Sequence, residues 1–450
     1  MHVGAAEVVI TPPLGVELAG YGPRRERRST AIDRQLTAQA LVFRQVSREA
    51  ALVVCDVLTV TQELVAAVRA GVEASTGIPG SHVLVAATHS HSAPSTGGFS
   101  DFGRPDRAYV RMLARTLIGA VAWAQRRAEP SRVFVGRGAY EGLAWNRVGG
   151  PSVDHAVRTL HVANDAGVVT AVLGHYACHP VILGPSTVIS PDFPGAFRDR
   201  IRDAYPQCVA TFVNGACGDI DPITNRDVWG QGTVDDVRQH GERLAEAALA
   251  AMRNAVPINA PELDVVRSTM CLAYDVPSPE ERQRRMAIHA AVKRRRGRRP
   301  DDPFGAPAAG EGSMPGFWLR YYRGLERRLQ RGDLADHECV ELQALRLGRD
   351  VVFLAIPAEV YAEHGLLIER ESPYANTVSI CYANGCCGYL PPEKEFREGH
   401  YTASLAAAAF DRPPFRSDVA QVMVDHVREL LRESRKRGAG QRGPEGQRSA

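Results

Sequence analysis

The sequence lacks both a long apolar run and a cysteine motif. No stretch of about 18 apolar residues occurs in its 450 residues, so we expect no membrane-spanning helix and no stable membrane insertion. Residues 1–7 lack a charged segment followed by an apolar one, so we expect no signal peptide. The nine cysteines are odd in number and contain no CxxC pair, which favours reduced, buried thiols. These absences predict a cytoplasmic protein.

The chain also lacks an excess of charge. Its 54 Lys and Arg residues nearly balance 51 Asp and Glu residues, giving a net charge of +3. A net charge this small does not attract nucleic acid strongly, and we therefore expect no nucleic-acid partner. An apolar fraction of 44% is ordinary for a globular protein with a large core. We expect a protein that acts on a small-molecule substrate, and its oligomeric state is left open.

Apolar strands and amphipathic helices follow one another along most of the chain. The spacing of apolar residues predicts helices at 62–75, 109–127, 194–205, 234–254 and 359–369. Apolar runs predict strands that include 37–45, 51–58, 83–87, 168–177, 208–214, 350–356 and 377–383. This pattern predicts an α/β (α+β layered) fold of mixed β-sheets flanked by helices.

Two segments differ from this pattern. Residues 279–333 contain two basic helices around a Pro/Gly/Ala-rich loop at 300–315. We interpret them as a solvated helical insertion with a mobile tip, and a lid over the active site is the functional alternative. Residues 434–450 are polar and lack aromatic residues, which predicts a disordered tail. The expected organisation is one domain over 1–433, including the insertion, followed by this tail.

Histidine pairs follow two of the apolar strands. His89 and His91 come directly after the strand at 83–87, and residues two apart on a strand point to the same side. His175 and His179 lie at the end of a second strand. Any one of these histidines could be hydrogen-bonded locally in the core. Two pairs at strand ends instead favour a zinc site, because neutral imidazoles are common zinc ligands.

Further polar residues stand at or near strand ends, and each has a simpler interpretation. Glu359 could be a zinc ligand or only an acid at a helix N-terminus. Tyr389, in a loop after a strand, could serve only packing. Asp221 follows a small-residue turn at 214–218 and could face a substrate or cap a tight loop. Arg147, after Asn146, could hold a carbonyl oxygen or lie at the surface.

Taken in order, these short motifs resemble one known family. They are Thr88-His89-Ser90-His91-Ser92-Ala93-Pro94, Asn146-Arg147, Cys178-His179-Pro180-Val181, Gly218-Asp219 with Pro222, Pro357-Ala358-Glu359, and Gly388-Tyr389 through His400-Tyr401. The chain resembles the neutral/alkaline non-lysosomal ceramidases, specifically their zinc-dependent N-terminal catalytic domain. The resemblance begins at Val3 and extends to at least Tyr401.

This resemblance implies roles for individual residues. The implied zinc ligands are His89, His179, Glu359 and Tyr389. We assign His89 rather than His91 as the direct ligand.

The other implied roles concern the substrate. His91 would bind the substrate or the metal-bound water, whereas Arg147 and Tyr401 match positions that contact the scissile amide and stabilise its oxyanion. The sequence departs from the family at Asp221, where ceramidases carry a serine that contributes to attack on the amide. An aspartate there could act as a general base or bind a substrate ammonium.

Other departures concern the substrate class. Ceramidases also carry a C-terminal immunoglobulin-like domain, usually a secretion signal, and an apolar acyl-chain groove. The chain is too short for the extra domain and shows no signal, so we do not expect ceramide, a membrane lipid, as its substrate.

The favoured hypothesis is a zinc-dependent hydrolase that cleaves an amide or related acyl bond of a small soluble substrate. It would use zinc-activated water, with Asp221 or His91 accepting a proton. Zinc-dependent acyl transfer or cyclisation in a biosynthetic pathway is one alternative. A non-catalytic zinc- or ligand-binding protein is another.

Overall fold

A computed structural model describes residues 1–22, 27–46, 48–100, 102–258, 262–296 and 314–440. Its strands are β1 His2–Val9, β2 Ala31–Ile32, β3 Thr37–Gln45, β4 Arg48–Cys55, β5 Val83–Ala87, β6 Glu129–Ala139, β7 Ala144–Asn146, β8 Ala156–Asn164, β9 Val169–Tyr176, β10 Val188–Ile189, β11 Val209–Asn214, β12 Ile220–Pro222, β13 Val256–Pro257, β14 Leu263–Ala273, β15 His337–Leu347, β16 Val351–Ile356, β17 Glu359–Val360, β18 Asn376–Cys381 and β19 Tyr389–Leu390.

The α-helices of the described residues lie between these strands and at the end of the chain. They are α1 Gln62–Thr76, α2 Arg107–Arg126, α3 Phe193–Ala204, α4 Val234–Arg253, α5 Pro279–Arg296, α6 Pro315–Arg331, α7 Ala362–Glu371, α8 Glu393–Arg397, α9 Leu405–Ala409 and α10 Val419–Gly440. Most predicted helices lie within a few residues of the observed ones, because their apolar spacing marks the buried face. No helix of the described residues is long and apolar enough to cross a membrane.

Two mixed sheets form the centre of the fold. The larger has the order β11-β9-β8-β6-β1-β3-β4-β5, with β13 beside β6, and the smaller has the order β14-β15-β16-β18. One face of each sheet contributes to a shared apolar core, in which the rings of Phe43 on β3 and Phe353 on β16 lie 6.3 Å apart. Strands β5 and β16 are continuously apolar because both of their faces are buried.

Helices cover the outer faces of both sheets. Helices α1 and α2 pack against β1, β3 and β5, and α3 and α4 pack against β6, β8 and β11. On the smaller sheet, α10 packs against β14 and β15 and also contacts α7. The order of layers is therefore helices, large sheet, small sheet and helices. This arrangement confirms the predicted α+β fold of mixed sheets flanked by helices.

The predicted insertion contains α5 and α6, and its residues 297–313 lie outside the described part of the chain. The prediction of a solvated surface is wrong for α6, whose aromatic face is buried. Phe317, Trp318, Tyr321 and Tyr322 pack with Ala408 of α9 in an apolar cluster. The basic residues that suggested a solvated insertion occupy the opposite face of this amphipathic helix.

The C-terminal end also differs from its prediction. Residues 434–440, predicted to begin a disordered tail, belong to α10, while 441–450 lie outside the described residues. Ser434 is fully buried and accepts a hydrogen bond from the Tyr374 hydroxyl at 2.9 Å. This buried contact anchors the polar end of the helix, which composition alone does not reveal.

The cysteines differ from their prediction at one pair. Cys271 on β14 and Cys339 on β15 lie opposite each other in the strand register and form a disulfide. The expectation of reduced, buried thiols is therefore wrong for these two residues, both of which are exposed. Six of the other seven cysteines are buried, and Cys386 is half-buried.

Candidate functional site

The candidate site lies where strands of both sheets end. β5 pairs in parallel with β4, β9 pairs in parallel with β11, and β16 pairs in parallel with β18. A bridge between Ala86 of β5 and Ala383, just beyond β18, joins the two sheets near this edge. The loops that leave β5, β9 and β16 carry His89, His179 and Glu359, so residues far apart in sequence meet here.

Three imidazole rings converge at this edge. The Nε2 atoms of His89 and His91 are 3.2 Å apart, and one ligand atom from each of His89, His91 and His179 lies within 4.8 Å of the others. His89 and His179 are buried, and His91 is half-buried. The structure thus brings together the predicted histidine ligands and the predicted neighbour, His91.

Backbone carbonyls fix the orientation of two of these rings. The Nδ1 atom of His89 lies 2.7 Å from the Leu58 carbonyl oxygen, and that of His179 lies 2.6 Å from the Cys217 carbonyl oxygen. Because a carbonyl only accepts, each Nδ1 carries the proton, and each neutral ring presents the Nε2 lone pair to the cluster. This is the usual arrangement of imidazoles that ligate a metal.

Glu359 completes the cluster with a carboxylate. Its Oε2 atom lies 3.5 Å from Nε2 of His89 and 3.4 Å from Nε2 of His179. Glu359 belongs to β17 and pairs in register with Tyr389 of β19. The predicted helix start at Glu359 is therefore wrong, because α7 begins at Ala362.

The donor atoms of this cluster fit a bound cation. Both Nε2 of His179 and Oε2 of Glu359 are buried without a hydrogen-bond partner among the described residues. Buried polar atoms are normally satisfied, and lone pairs that converge on one point can hold a positive ion between them. Imidazole nitrogen and carboxylate oxygen are ligands that zinc accepts.

The protonation of the cluster agrees with this donor role. Burial lowers the pKa of His89, although the nearby carboxylate of Glu359 opposes the shift. Burial and the neighbouring histidines lower the pKa of His91 well below its usual value. His89 and His91 are therefore neutral imidazoles.

Arg147 lies beside the cluster and connects three of its neighbours. Its guanidinium donates to Oδ1 of Asp221 at 2.9 Å, to the Gly218 carbonyl oxygen at 2.7 Å and to the Tyr389 hydroxyl at 2.9 Å. Burial alone would lower the pKa of Arg147, but the charge of Asp221 outweighs it and raises the pKa. Arg147 is therefore a fixed cation within the site, not the surface residue of the simpler interpretation.

Two tyrosines lie on the Arg147 side of the site. The rings of Tyr389 and Tyr401 are 6.0 Å apart. Burial raises the pKa of Tyr401 to about 12, so its hydroxyl stays protonated and able to donate. Burial and the Glu359 carboxylate likewise raise the pKa of Tyr389. Ligation of a metal by Tyr389 stays a prediction.

The two acids of the 214–222 loop have different surroundings. Asp219 accepts hydrogen bonds from the Ala362 amide at 2.7 Å and from the Asn146 side chain at 2.6 Å, so it ties the loop to α7 and β7. Asp221 is 1% exposed, and its Oδ2 atom is buried without a hydrogen-bond partner among the described residues. Of the two, Asp221 is the one with an oxygen left for a ligand.

Sequence reasoning missed two residues that support the histidines. The Tyr382 ring stacks on His89 with centroids 3.8 Å apart. Arg27 donates to the His91 carbonyl oxygen at 2.7 Å. Tyr382 falls inside the strand predicted at 377–383, where a tyrosine is usually interpreted as packing. No sequence pattern marked Arg27 as a residue of the site.

His175 lies outside the cluster, although it belonged to the second predicted pair. Its Nε2 atom lies 3.0 Å from the Ser379 carbonyl oxygen, and its Nδ1 atom lies 3.3 Å from Arg158. Burial lowers the pKa of His175 to about 3, so the ring is neutral and satisfied within the core. For this residue the simpler interpretation is correct.

Comparisons with known proteins identify the fold. No protein-family model and no curated protein matches the chain significantly. The neutral ceramidase of Pseudomonas aeruginosa has a TM-score of 0.73 at 18% identity, over 97% of this chain and 74% of that one. A ceramidase complexed with C2 has a TM-score of 0.74 at 18% identity, over 97% and 75%. The predicted resemblance to neutral ceramidases is confirmed for the fold.

Proposed function

We propose that the chain is a zinc-dependent hydrolase that cleaves an amide or related acyl bond of a small-molecule substrate. The observation that carries this proposal is the convergence of histidine and glutamate ligand atoms that have no hydrogen-bond partner in the described part of the chain, beside a fixed arginine. The neighbours in fold are named ceramidases, and that name agrees with amide-bond cleavage. We assign the activity to the domain predicted over 1–433, including the insertion, and extend it to the end of α10 at Gly440.

Zinc would be held by His89, His179 and Glu359, whose donor atoms already face one another. Tyr389 is the proposed fourth ligand, and His91 is the competing candidate because its Nε2 atom lies in the same cluster. Bound zinc would polarise a substrate carbonyl and lower the pKa of water to about 7. No cysteine is needed for this site.

The charges around the cluster support specific roles for its neighbours. The buried guanidinium of Arg147 and the protonated hydroxyl of Tyr401 would hold the negative oxygen that develops during attack on the carbonyl. Asp221 would accept a proton through its free Oδ2 atom while Arg147 holds the other oxygen in place. His91 is the second candidate for the proton acceptor.

The proposed substrate class is a small N-acyl amine or related acyl compound. A screen of N-acyl compounds identifies the acyl and amine groups that the site accepts. The cytoplasmic location expected from the sequence stays a prediction.

The test combines metal analysis with a hydrolysis screen of N-acyl amines, N-acyl amino acids and small lactones. After reduction and alkylation of Cys271 and Cys339, we expect about one zinc per chain and release of the free acid, with both lost in His179→Ala. His161→Ala is the matched control, because this histidine stacks on Phe134 outside the cluster. A purified protein that neither contains nor binds zinc would overturn the proposal. Products formed only with an added amine would indicate acyl transfer instead.

A further inference from the structure

A second group of metal-ligating side chains lies on the smaller sheet, away from the histidine cluster. One ligand atom from each of Cys271, His337 and Cys339 lies within 4.8 Å of the others, and all three residues are exposed. We propose that these residues form a redox-controlled site for a thiophilic divalent ion such as Zn²⁺. It is closed in the disulfide form and open to metal in the dithiol form.

The strand register places the three side chains on one face. Cys271 pairs directly with Cys339 in the antiparallel ladder of β14 and β15, and Ala273 pairs with His337. Because side chains alternate along a strand, His337 and Cys339 point to the same side, with His337 diagonal to Cys271. The alternate residues Leu272 and Val340 are buried, so the opposite face of these strands supplies a fixed base.

The imidazole of His337 is held by a neighbouring carboxylate. Its Nδ1 atom pairs with Oδ1 of Asp336. A carboxylate accepts the Nδ1 proton and leaves the Nε2 lone pair for a metal, as in many carboxylate–histidine–zinc arrangements. Two thiolates and one imidazole form a set that zinc prefers, with a fourth position left for water.

Solvent exposure distinguishes Cys271 and Cys339 from the other cysteines. Cys55, Cys208 and Cys381 are buried, and burial raises the pKa of each of these thiols, which keeps them protonated. Cys271 and Cys339 are the exposed ones among the nine cysteines, all of which are described. Reductants and metal ions can therefore reach this pair directly.

Conversion of the disulfide form to the dithiol form requires a thiol reductant, and the reverse conversion requires an oxidant. Two molecules of a small thiol reductant break the S–S bond, give one hydrogen to each cysteine sulfur and leave as their own disulfide. The metal ion then replaces the two thiol protons, which pass to solvent. In the reverse direction a peroxide takes two electrons from the thiolates and becomes water with two protons. The S–S bond forms and the ion is released.

The test uses Co²⁺ titration of the full chain, with and without prior reduction, and follows thiolate-to-cobalt charge-transfer absorption. The histidine cluster contains no proposed sulfur ligand, so this absorption reports the second site alone. We expect this absorption to appear when Co²⁺ is added to the reduced protein and to be missing from the oxidised protein. Cys271→Ser and Cys339→Ser should lose the absorption, whereas the buried-cysteine control Cys208→Ser should retain it.

His337→Ala decides whether three ligands act together. We expect its Co²⁺ affinity to fall by about tenfold or more. Because His337 is exposed, this variant keeps the test valid even if a cysteine variant fails to fold. No thiolate absorption in the reduced protein, absorption that survives in both folded serine variants, or an unchanged affinity in His337→Ala would overturn the proposal.

Discussion

Among single residues, Asp221 has the most distinctive surroundings. One of its carboxylate oxygens accepts from Arg147, and the other is buried without a hydrogen-bond partner among the described residues. We expect Asp221→Ala to leave the zinc content intact and to lower kcat by about 10²-fold or more, because a proton acceptor is lost.

Asp221→Asn separates the two roles of this side chain. It retains a carbonyl oxygen for Arg147 but cannot accept a proton as a base, so kcat should fall nearly as far as in the alanine variant. Metal content by elemental analysis and steady-state kinetics provide the measurements. Turnover equal to that of the unchanged protein in either variant would rule out Asp221 as the base.

Asp192 should make the stability of the protein depend on pH. Burial raises its pKa from 3.8 to about 7, against hydrogen bonds from the Phe193 and Leu183 amides that favour the ionised form. The charge of Asp33 raises it further. The folded protein therefore holds a proton that the unfolded chain releases.

The sign of the effect follows from this difference. As the pH rises from about 4 to about 7, Asp192 lowers the free energy of unfolding by at most ~1.4 kcal/mol per pH unit. Asp192→Asn keeps an oxygen for the Phe193 amide and tolerates the φ of 59°. Urea unfolding should show the variant gaining stability relative to the unchanged protein across this window. A constant difference would contradict the assignment.

Single residues also show what a sequence can reveal about a site. His89 and His179 were predicted because a strand end followed by histidine has a specific chemical meaning. Tyr382 was not, because its contact with His89 depends on a strand more than 290 positions away. The same limit explains His175, whose partner Ser379 lies on another sheet.

Among the elements, α6 packs against the segment that follows Tyr401. Its Trp318 is 5% exposed and packs in the cluster that includes Ala408, seven positions after Tyr401. We expect Trp318→Ala to lower the free energy of unfolding by about 3–5 kcal/mol, because a large buried ring leaves a cavity. Arg323→Ala, on the exposed face of the same helix, is the control and should change it by less than about 0.5 kcal/mol.

Denaturant unfolding measures this difference. A loss of stability in Trp318→Ala no larger than in Arg323→Ala would contradict the buried packing of α6.

The periodicity of α6 was visible in the sequence, but the residues that pack on its apolar face were not. The same holds for Glu359, because a strand of two residues such as β17 has no periodicity to recognise. Its position opposite Tyr389 is set by pairing between distant segments.

For the whole molecule, a metal at the histidine cluster would join the ends of three separate strands. An ion that binds only the folded state stabilises it by about 2.7 kcal/mol at a hundred times its Kd. We therefore expect chelation to lower the Tm and added zinc to restore it.

His179→Ala, which lacks a ligand, should show a Tm that does not respond to chelator. Differential scanning calorimetry of the reduced protein, with the exposed cysteines alkylated, excludes a contribution from Cys271 and Cys339. A Tm that does not change when zinc is removed from the unmodified cluster would contradict the stabilising role.

The layered architecture of the whole molecule was only partly predictable from the sequence. Alternating strands and helices implied mixed sheets with helical cover, since each apolar face must be buried. That the two sheets pack on each other, with Phe43 against Phe353, depends on contacts more than 300 positions apart. No local sequence pattern indicates which face of one sheet packs against which face of the other.

The disulfide between Cys271 and Cys339 spans 68 positions, and both helices of the insertion lie within that span. A protease that cuts a single peptide bond anywhere in this span leaves two polypeptides still linked through sulfur. The nicked protein would migrate as one species in a non-reducing gel and separate into two once a thiol is added.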